Sequence, residues 1–508
     1  MPRFQWTGLP TMPWSRRADA VEGLVLSGGG SKASFQLGAL RYLYEVVGIR
    51  PTVVVGTSSG SILSAMIGQS LDPDEQAASV RRLEELWFGM RRQSDMFTER
   101  PWFTTLQARG HEWMHLMSAE KSAPALPRRG VRRQRATDDD PPLAEAEQLS
   151  GQAETLRIAM AEHTPEASGW SPGLALQLMS SLPRLRGAPG DLGAILRGAE
   201  ASRSMYRPGP LLESLLDEQT YRSDRVAGSG MTVRIAIVCL ETGDLRFMRQ
   251  DGVLVDREDR LVGDERHDFS RGVLASCSIP AVFAPVELEG EYYVDGGVRE
   301  NVPAEMAISL GVDRCWVVSS AASDTPSESS FATKSIAQVV ARATEIMSDE
   351  TERDEVAYAR SAGARVIEPE LQVHTPLQVD PGLIRINRDY GWMRAAEEHL
   401  DVPEAQRQVH RRLIELRMEA HRLEAERFIV RPTPAATGRI RPDWGATEDD
   451  LRALTTTKLA IDDLVGRARQ EALPEGHEQW AGDWEQHPVQ PTRRPPWVSP
   501  AARMSDPR

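Results

Sequence analysis

Val25-Leu26-Ser27-Gly28-Gly29-Gly30-Ser31-Lys32 is the stretch on which the reading of the fold turns. An apolar run, Leu24 to Leu26, gives way to three successive glycines. Phe35, Leu37, Leu40 and Leu43 then follow at helical spacing. Strand, glycine turn and helix in that order aim unpaired backbone N–H groups at a negative charge. That charge is either a standing phosphate or one that develops only during a reaction.

Working outward, Thr52-Val53-Val54-Val55 is a short β-branched run of the kind buried inside a parallel sheet. It ends in Gly56-Thr57-Ser58-Ser59-Gly60, and a new apolar segment, Ile62 to Ile67, starts at once. Two strand–turn–helix units in succession open an α/β fold. Asp72-Pro73-Asp74-Glu75 then reads as a helix start, with an acidic cap and proline at the first position. Strand patterns return at Val233 to Cys239, which turns through Glu241-Thr242-Gly243-Asp244 into Leu245 to Phe247, a hairpin signal. Further strands are expected at Tyr292 to Val294, Trp316 to Val318 and Arg365 to Ile367. Helices are expected at 304–310, 335–360 and from Asp380-Pro381 to about 400.

The chain of 508 residues exceeds one ordinary domain, so a large core with appendages is expected. Residues 1–20 read as an irregular arm. Residues 118–170 carry Pro, Ser, Ala and Glu, apolar residues return in short pieces over 171–206, and 117–205 reads as a polar, lid-like insertion in an α/β body spanning 21–400. A helical extension over 401–470 and a Pro- and Arg-rich, unstructured tail over 471–508 complete the division. In the extension, Val409, Leu413, Leu416, Ala420 and Leu423 form a short heptad seam. It serves either to dock the 403–428 helix on its own body or to join two copies as a homodimer. Thr447 with Asp450 resembles a cap for a second amphipathic helix.

A net charge of −14 argues against nucleic acid as the main partner. Three scattered cysteines, Cys239, Cys277 and Cys315, point to buried thiols in a reducing compartment, with no disulfide frame. The N-terminus lacks the charged-then-apolar layout of a signal peptide, and no apolar run approaches the roughly 18 residues that span a bilayer. A cytoplasmic location is expected, with peripheral membrane contact as an added option. The run Arg128-Arg129-Gly130-Val131-Arg132-Arg133-Gln134-Arg135 offers such a contact, at roughly 1 kcal/mol per basic residue near an anionic surface. Asp138 to Asp140 neutralise part of it in a plain solvated reading.

Gly56-x-Ser58-x-Gly60 has the nucleophile-elbow pattern, in which a serine sits on a turn so tight that its neighbours must be small. Ser58 then needs a base. Asp295 ends an apolar strand and is followed by Gly296 and Gly297, which clear space around its carboxylate. It serves as a base only in contact with Ser58 and in a site that disfavours its charge. His374 is the one histidine placed in chain order for a Ser-His-Asp triad. His111 and His115, one helical turn apart, lack a carboxylate to complete a metal site. The glycine turn fails as a phosphate loop, because Ala33 follows Lys32 where Ser or Thr would bind magnesium. As a dinucleotide motif, Gly28-x-Gly30-x-x-Ala33 fits, but the second strand runs into Ser58 where a ribose-binding acid belongs. An oxyanion hole remains, its N–H groups placed where a tetrahedral intermediate becomes negative.

Taken together, these blocks resemble the patatin-like phospholipase family. Leu24 through Leu40 is similar to its oxyanion segment, and Gly56-Thr57-Ser58-Ser59-Gly60 to its elbow. Ala275-Ser276 through Phe283, Tyr293-Val294-Asp295-Gly296-Gly297 and Asn301-Val302-Pro303 resemble its catalytic-aspartate segment. The resemblance covers about 20–120 and 205–400. It implies a three-layer α/β/α fold around a mostly parallel sheet. It also implies a cofactor- and metal-free serine hydrolase acting on phospholipid or other acyl-ester lipid. Ser58 would be the nucleophile, Asp295 the base, and the N–H groups of Gly28, Gly29 and Gly30 the oxyanion hole. Lys32, Gly56, Gly60, Gly296 and Gly297 would support the motifs. Ala33 departs from the glycine usual after the basic residue. A non-catalytic lipid-binding or interaction protein on the same fold and a triad esterase through His374 are the competing readings.

Overall fold

The computed structural model describes residues 20–105, 198, 201–215, 217, 220–322, 330–331, 336–427 and 447–482. The N-terminal arm, most of the 117–205 insertion with Arg128 to Arg135, and His111 and His115 lie outside the described residues.

Strands β1 (Glu22–Leu26), β2 (Val53–Thr57), β5 (Thr232–Cys239), β10 (Arg314–Val318) and β11 (Arg365–Ile367) run parallel in the order β11-β10-β1-β2-β5. β1 and β2 are buried along their whole length, the environment their unbroken apolar runs require. β6 (Leu245–Arg249) joins β5 antiparallel through the expected hairpin, and β7 (Leu254–Val255) follows it. β8 (Val286–Leu288) and β9 (Glu291–Asp295) form a second hairpin, with β9 antiparallel to β5. β3 (Phe97–Glu99) and β4 (Tyr206–Pro208) pair separately.

Side chains alternate across the sheet and feed two buried clusters. Leu24, Leu26, Val54 and Ile235 face one layer, which holds α1 (Ala33–Tyr42), α2 (Ser59–Ile67), α3 (Pro73–Gly89) and α4 (Phe269–Ser276). Val25, Val53, Val55 and Val317 face the other, with α5 (Ala304–Ser309) and the C-terminal half of α6 (Ile336–Ser361). The molecule is thus a three-layer α/β/α sandwich on a mixed, mostly parallel sheet. α3 starts where Asp72 accepts the Asp74 N–H at 3.0 Å, with Pro73 at its first position.

α7 (Pro381–His399) lies against α1 at very close range, because Gly391 faces the Phe35 carbonyl and Gly38 faces the Arg388 carbonyl. α8 (Glu404–Arg427) packs on α7, and α9 (Glu448–Arg467, capped by Thr447 and Asp450) packs on α8. Their Leu413, Ile414, Leu454 and Ile461 belong to the same buried cluster as α1, so the extension shares the core of the body. The heptad seam is covered by the protein's own helices: Leu413 and Ala420 are fully buried. A hydrogen bond between His410 and Glu397 at 2.7 Å and an ion pair between Arg417 and Asp389 at 2.8 Å lock the same joint. The tail expected to lose structure at 471 stays ordered through 482. Trp480 lies 4.0 Å under the Arg417 guanidinium, and its carbonyl accepts Lys458 Nζ at 3.3 Å.

The expected insertion is held at its base. β3–β4 pairing, the Trp102 Nε1–H donated to Ser202 Oγ (2.9 Å), and Arg100 to Ser204 Oγ (2.8 Å) bring its two ends together. Met205 and Tyr206 then donate their N–H groups to the carbonyls of Ala281 and Val282. Among the described residues no helix is long and apolar enough to cross a membrane.

Candidate active site

Sheet register brings Ser58 and Asp295 together. β5 uses one edge for β6 along Arg234 to Val238, leaving its other edge to β2 and β9 in turn. β2 ends at Thr57 opposite Ala236, and β9 ends at Asp295 opposite Ile237. The two strands run toward each other and stop one β5 residue apart. Ser58 follows the first, and Asp295 ends the second.

The elbow is as tight as the glycine pattern requires. Ser58 has φ 53 and ψ −125, a left-handed conformation that costs a non-glycine residue about 1–3 kcal/mol. A Cβ on Gly56 would stand 2.5 Å from the Gly60 carbonyl oxygen, and one on Gly60 would stand 2.6 Å from that of Ser27. Both backbones pass too close for any side chain. The Ser58 N–H donates to Ser276 Oγ at 2.9 Å, and the Cys277 thiol meets the Ser58 carbonyl at 3.2 Å. α2 begins at Ser59, so its N-terminal N–H groups and dipole face the serine.

Asp295 is buried, accepts the Gly297 N–H at 2.8 Å on Oδ1, and has the Ser58 side chain as its neighbour. Its own N–H is held by the Ser278 carbonyl at 3.1 Å. Burial pushes its carboxyl up to about 7, and the neighbouring Ser58 and the Gly297 N–H only partly oppose the shift. Gly296 is required by the Ala236 carbonyl, 2.6 Å from where its Cβ would lie.

The glycine turn packs against the serine. A Cβ on Gly28 would come 3.0 Å from Ser58 Cβ and collide with Asn301 Oδ1. The Gly28 N–H is already committed, to Asn301 Oδ1 (3.1 Å) and the Asn301 carbonyl (3.2 Å). It therefore differs from the expected free oxyanion donor. Gly29 and Gly30 N–H have no acceptor among the described residues. Gly30 has φ +56, the one position of the three where the backbone itself demands glycine. From beneath, Gln36 Nε2 donates to the carbonyls of Ser27 (2.8 Å) and Val318 (3.0 Å).

Ala33 has ordinary right-handed helical dihedrals, so its methyl does not strain the turn. Lys32 sits among α6 acids: burial lowers its pKa, while Glu352, Asp349 and Glu345 pull it back up. His374 is placed elsewhere. Its ring reaches Ser31 Oγ (3.4 Å), Ser34 Oγ (3.5 Å) and the Thr375 carbonyl (3.1 Å), under the start of α1. Burial takes its imidazole down to about 4, and it makes no hydrogen bond to Ser58 or Asp295. The triad reading fails on that geometry. Ser276, Gln36 and the acids of α6 went unassigned at sequence level. Ser276 and Gln36 fall inside the resembling segments, whereas Glu352 carries no local signal.

The fold is of the three-layer α/β class, with Ser58 and Asp295 at the facing ends of two strands. A family model for patatin-like phospholipase matches residues 24–308, more than half of the chain, and the chain belongs to that family. VipD from Legionella pneumophila is similar in structure at 13% identity over 91% of this chain and 92% of that one, with a TM-score of 0.27. The type III effector ExoU is similar at 15% identity over 91% and 74%, with a TM-score of 0.24. Comparison with curated proteins gave no match.

Proposed function

We propose that this protein hydrolyses acyl esters of lipids by a two-residue mechanism. The carrying observation is the head-on approach of β2 and β9 on one edge of β5, which sets Ser58 against the buried Asp295 carboxyl. Ser58 Oγ attacks the ester carbonyl carbon while its proton passes to Asp295. The carbonyl oxygen becomes an oxyanion and takes the N–H groups of Gly29 and Gly30, with the start of α2 adding its dipole. Gly28 forms the wall between Ser58 and Asn301. Collapse of the intermediate expels the alcohol, which takes the proton back from Asp295. Water, deprotonated by the same carboxylate, then releases the fatty acid and restores the serine. Lipid esters are the substrate class because the family is one of phospholipases.

Turnover of a short-chain aryl ester and of mixed phosphatidylcholine vesicles by wild type, Ser58→Ala and Asp295→Asn tests this. Loss of both activities in both variants is expected. Full activity in Asp295→Asn sinks the dyad, and no turnover by wild type favours a non-catalytic lipid-binding protein.

A further inference from the structure

Glu352 and Glu355 stand on consecutive turns of α6, remote in sequence from every motif above, yet both reach the segment behind the glycine turn. Glu355 Oε2 accepts the N–H groups of Asn301 (3.0 Å) and Val302 (2.7 Å). Glu352 Oε2 accepts Asn301 Nδ2 at 2.9 Å, and its Oε1 accepts Ser319 Oγ at 2.7 Å. Resting on the functional reading above, we infer that Glu352 is a positioning residue that holds the glycine turn against Ser58 through the Asn301 amide.

An Asn side chain has one donor end and one acceptor end. With Nδ2 spent on the Glu352 carboxylate, Oδ1 must face the Gly28 N–H, where it lies at 3.1 Å. Gly28 in turn fills the gap between that oxygen and Ser58 Cβ. The other Glu352 oxygen holds Ser319, and its neighbour Ser320 donates Oγ to the Gly28 carbonyl at 2.5 Å. One carboxylate therefore grips both segments that clamp Gly28, on its N–H side and on its carbonyl side. Thr57, at the elbow, donates to the Glu300 carbonyl at 3.2 Å, so the 300–302 segment touches turn and elbow together. Burial raises the Glu352 pKa, and Lys32 with the Ser319 and Asn301 donors opposes that rise. A loosened clamp displaces the turn relative to Ser58, and a shift of about 1 Å typically costs on the order of 100-fold in rate.

The test is steady-state kinetics on a soluble short-chain ester, with the rate of Ser58 labelling by a fluorophosphonate measured in parallel. Glu352→Ala is expected to lower kcat about 10–100-fold with KM within about twofold. Asn301→Asp keeps an acceptor toward Gly28 but sets a second carboxylate against Glu352, and a similar loss is expected. Glu352→Gln added to Asn301→Asp restores a donor–acceptor pair with its direction reversed, and should recover about tenfold or more of that loss. Wild-type kcat and labelling rate in Glu352→Ala overturn the inference. So does an Asn301→Asp/Glu352→Gln double variant no faster than Asn301→Asp, which decides the matter if Glu352→Ala does not fold. Turnover in wild type that does not depend on Ser58 strikes the functional reading instead, and the inference falls with it.

Discussion

Ser58 sits at φ 53 with its N–H held by Ser276, and the strain of that turn is what presents Oγ to Asp295. An aspartate with its ordinary pKa near 3.9 would be a feeble base. Burial moves Asp295 to about 7, where a carboxylate is a far better proton acceptor yet still ionises near neutrality. The sign follows directly, since the base must be deprotonated. kcat/KM is expected to rise through about pH 7 and level off above about pH 8, running roughly tenfold lower at pH 6. A pH–rate profile flat from 5 to 8 would contradict the assignment. At this scale most of the site was legible in the sequence, because Gly56-x-Ser58-x-Gly60 and the three glycines are local strand–turn–helix devices. The commitment of Gly28 N–H to Asn301 was not legible, since it depends on a partner 273 residues away.

Among the elements, β9 decides whether there is a site at all. An apolar run such as Tyr292 to Val294 signals a strand but carries no direction, so its antiparallel approach to β2 appears only in the fold. His374 misled for the same reason. Chain order suits a triad, but the loop before α7 lays the ring under α1 beside Ser31 and Ser34. α1 and α7 approach through Gly38 and Gly391, and a Cβ at 391 would lie 2.7 Å from the Phe35 carbonyl carbon. That neighbour is main chain and cannot rotate away. Gly391→Ala is expected to cost about 1–3 kcal/mol or more in urea denaturation, because the two helices must part to admit a methyl. An unchanged midpoint would show that the crossing is looser than described.

For the whole molecule, the C-terminal helices are a third part of the same core, and buried acids give the fold a pH dependence. Asp295 and Glu300 are raised to about 7 and Glu355 to about 8, all chiefly by burial. Each binds protons more tightly folded than unfolded. Their contribution to stability is therefore complete below about pH 4 and is lost as pH rises through 7 to 8. Asp380, lowered to about 2 against burial by His421 and helix N–H groups, and the neutral His374 act in the opposite sense on the acid side. Above pH 6.5, the ordinary histidine value, only the raised acids among these still titrate, so the melting temperature is expected to fall from pH 6.5 to 8. Asp295→Asn should flatten that decline, and an equal slope in the variant would contradict the buried, raised carboxyl.

The central claim, that strand register delivers Ser58 as a nucleophile, is tested most directly by intact-mass analysis after fluorophosphonate treatment. One adduct is expected on the wild-type chain, absent from Ser58→Ala and strongly slowed in Asp295→Asn. An unlabelled wild type, or an adduct that persists in Ser58→Ala, would contradict it.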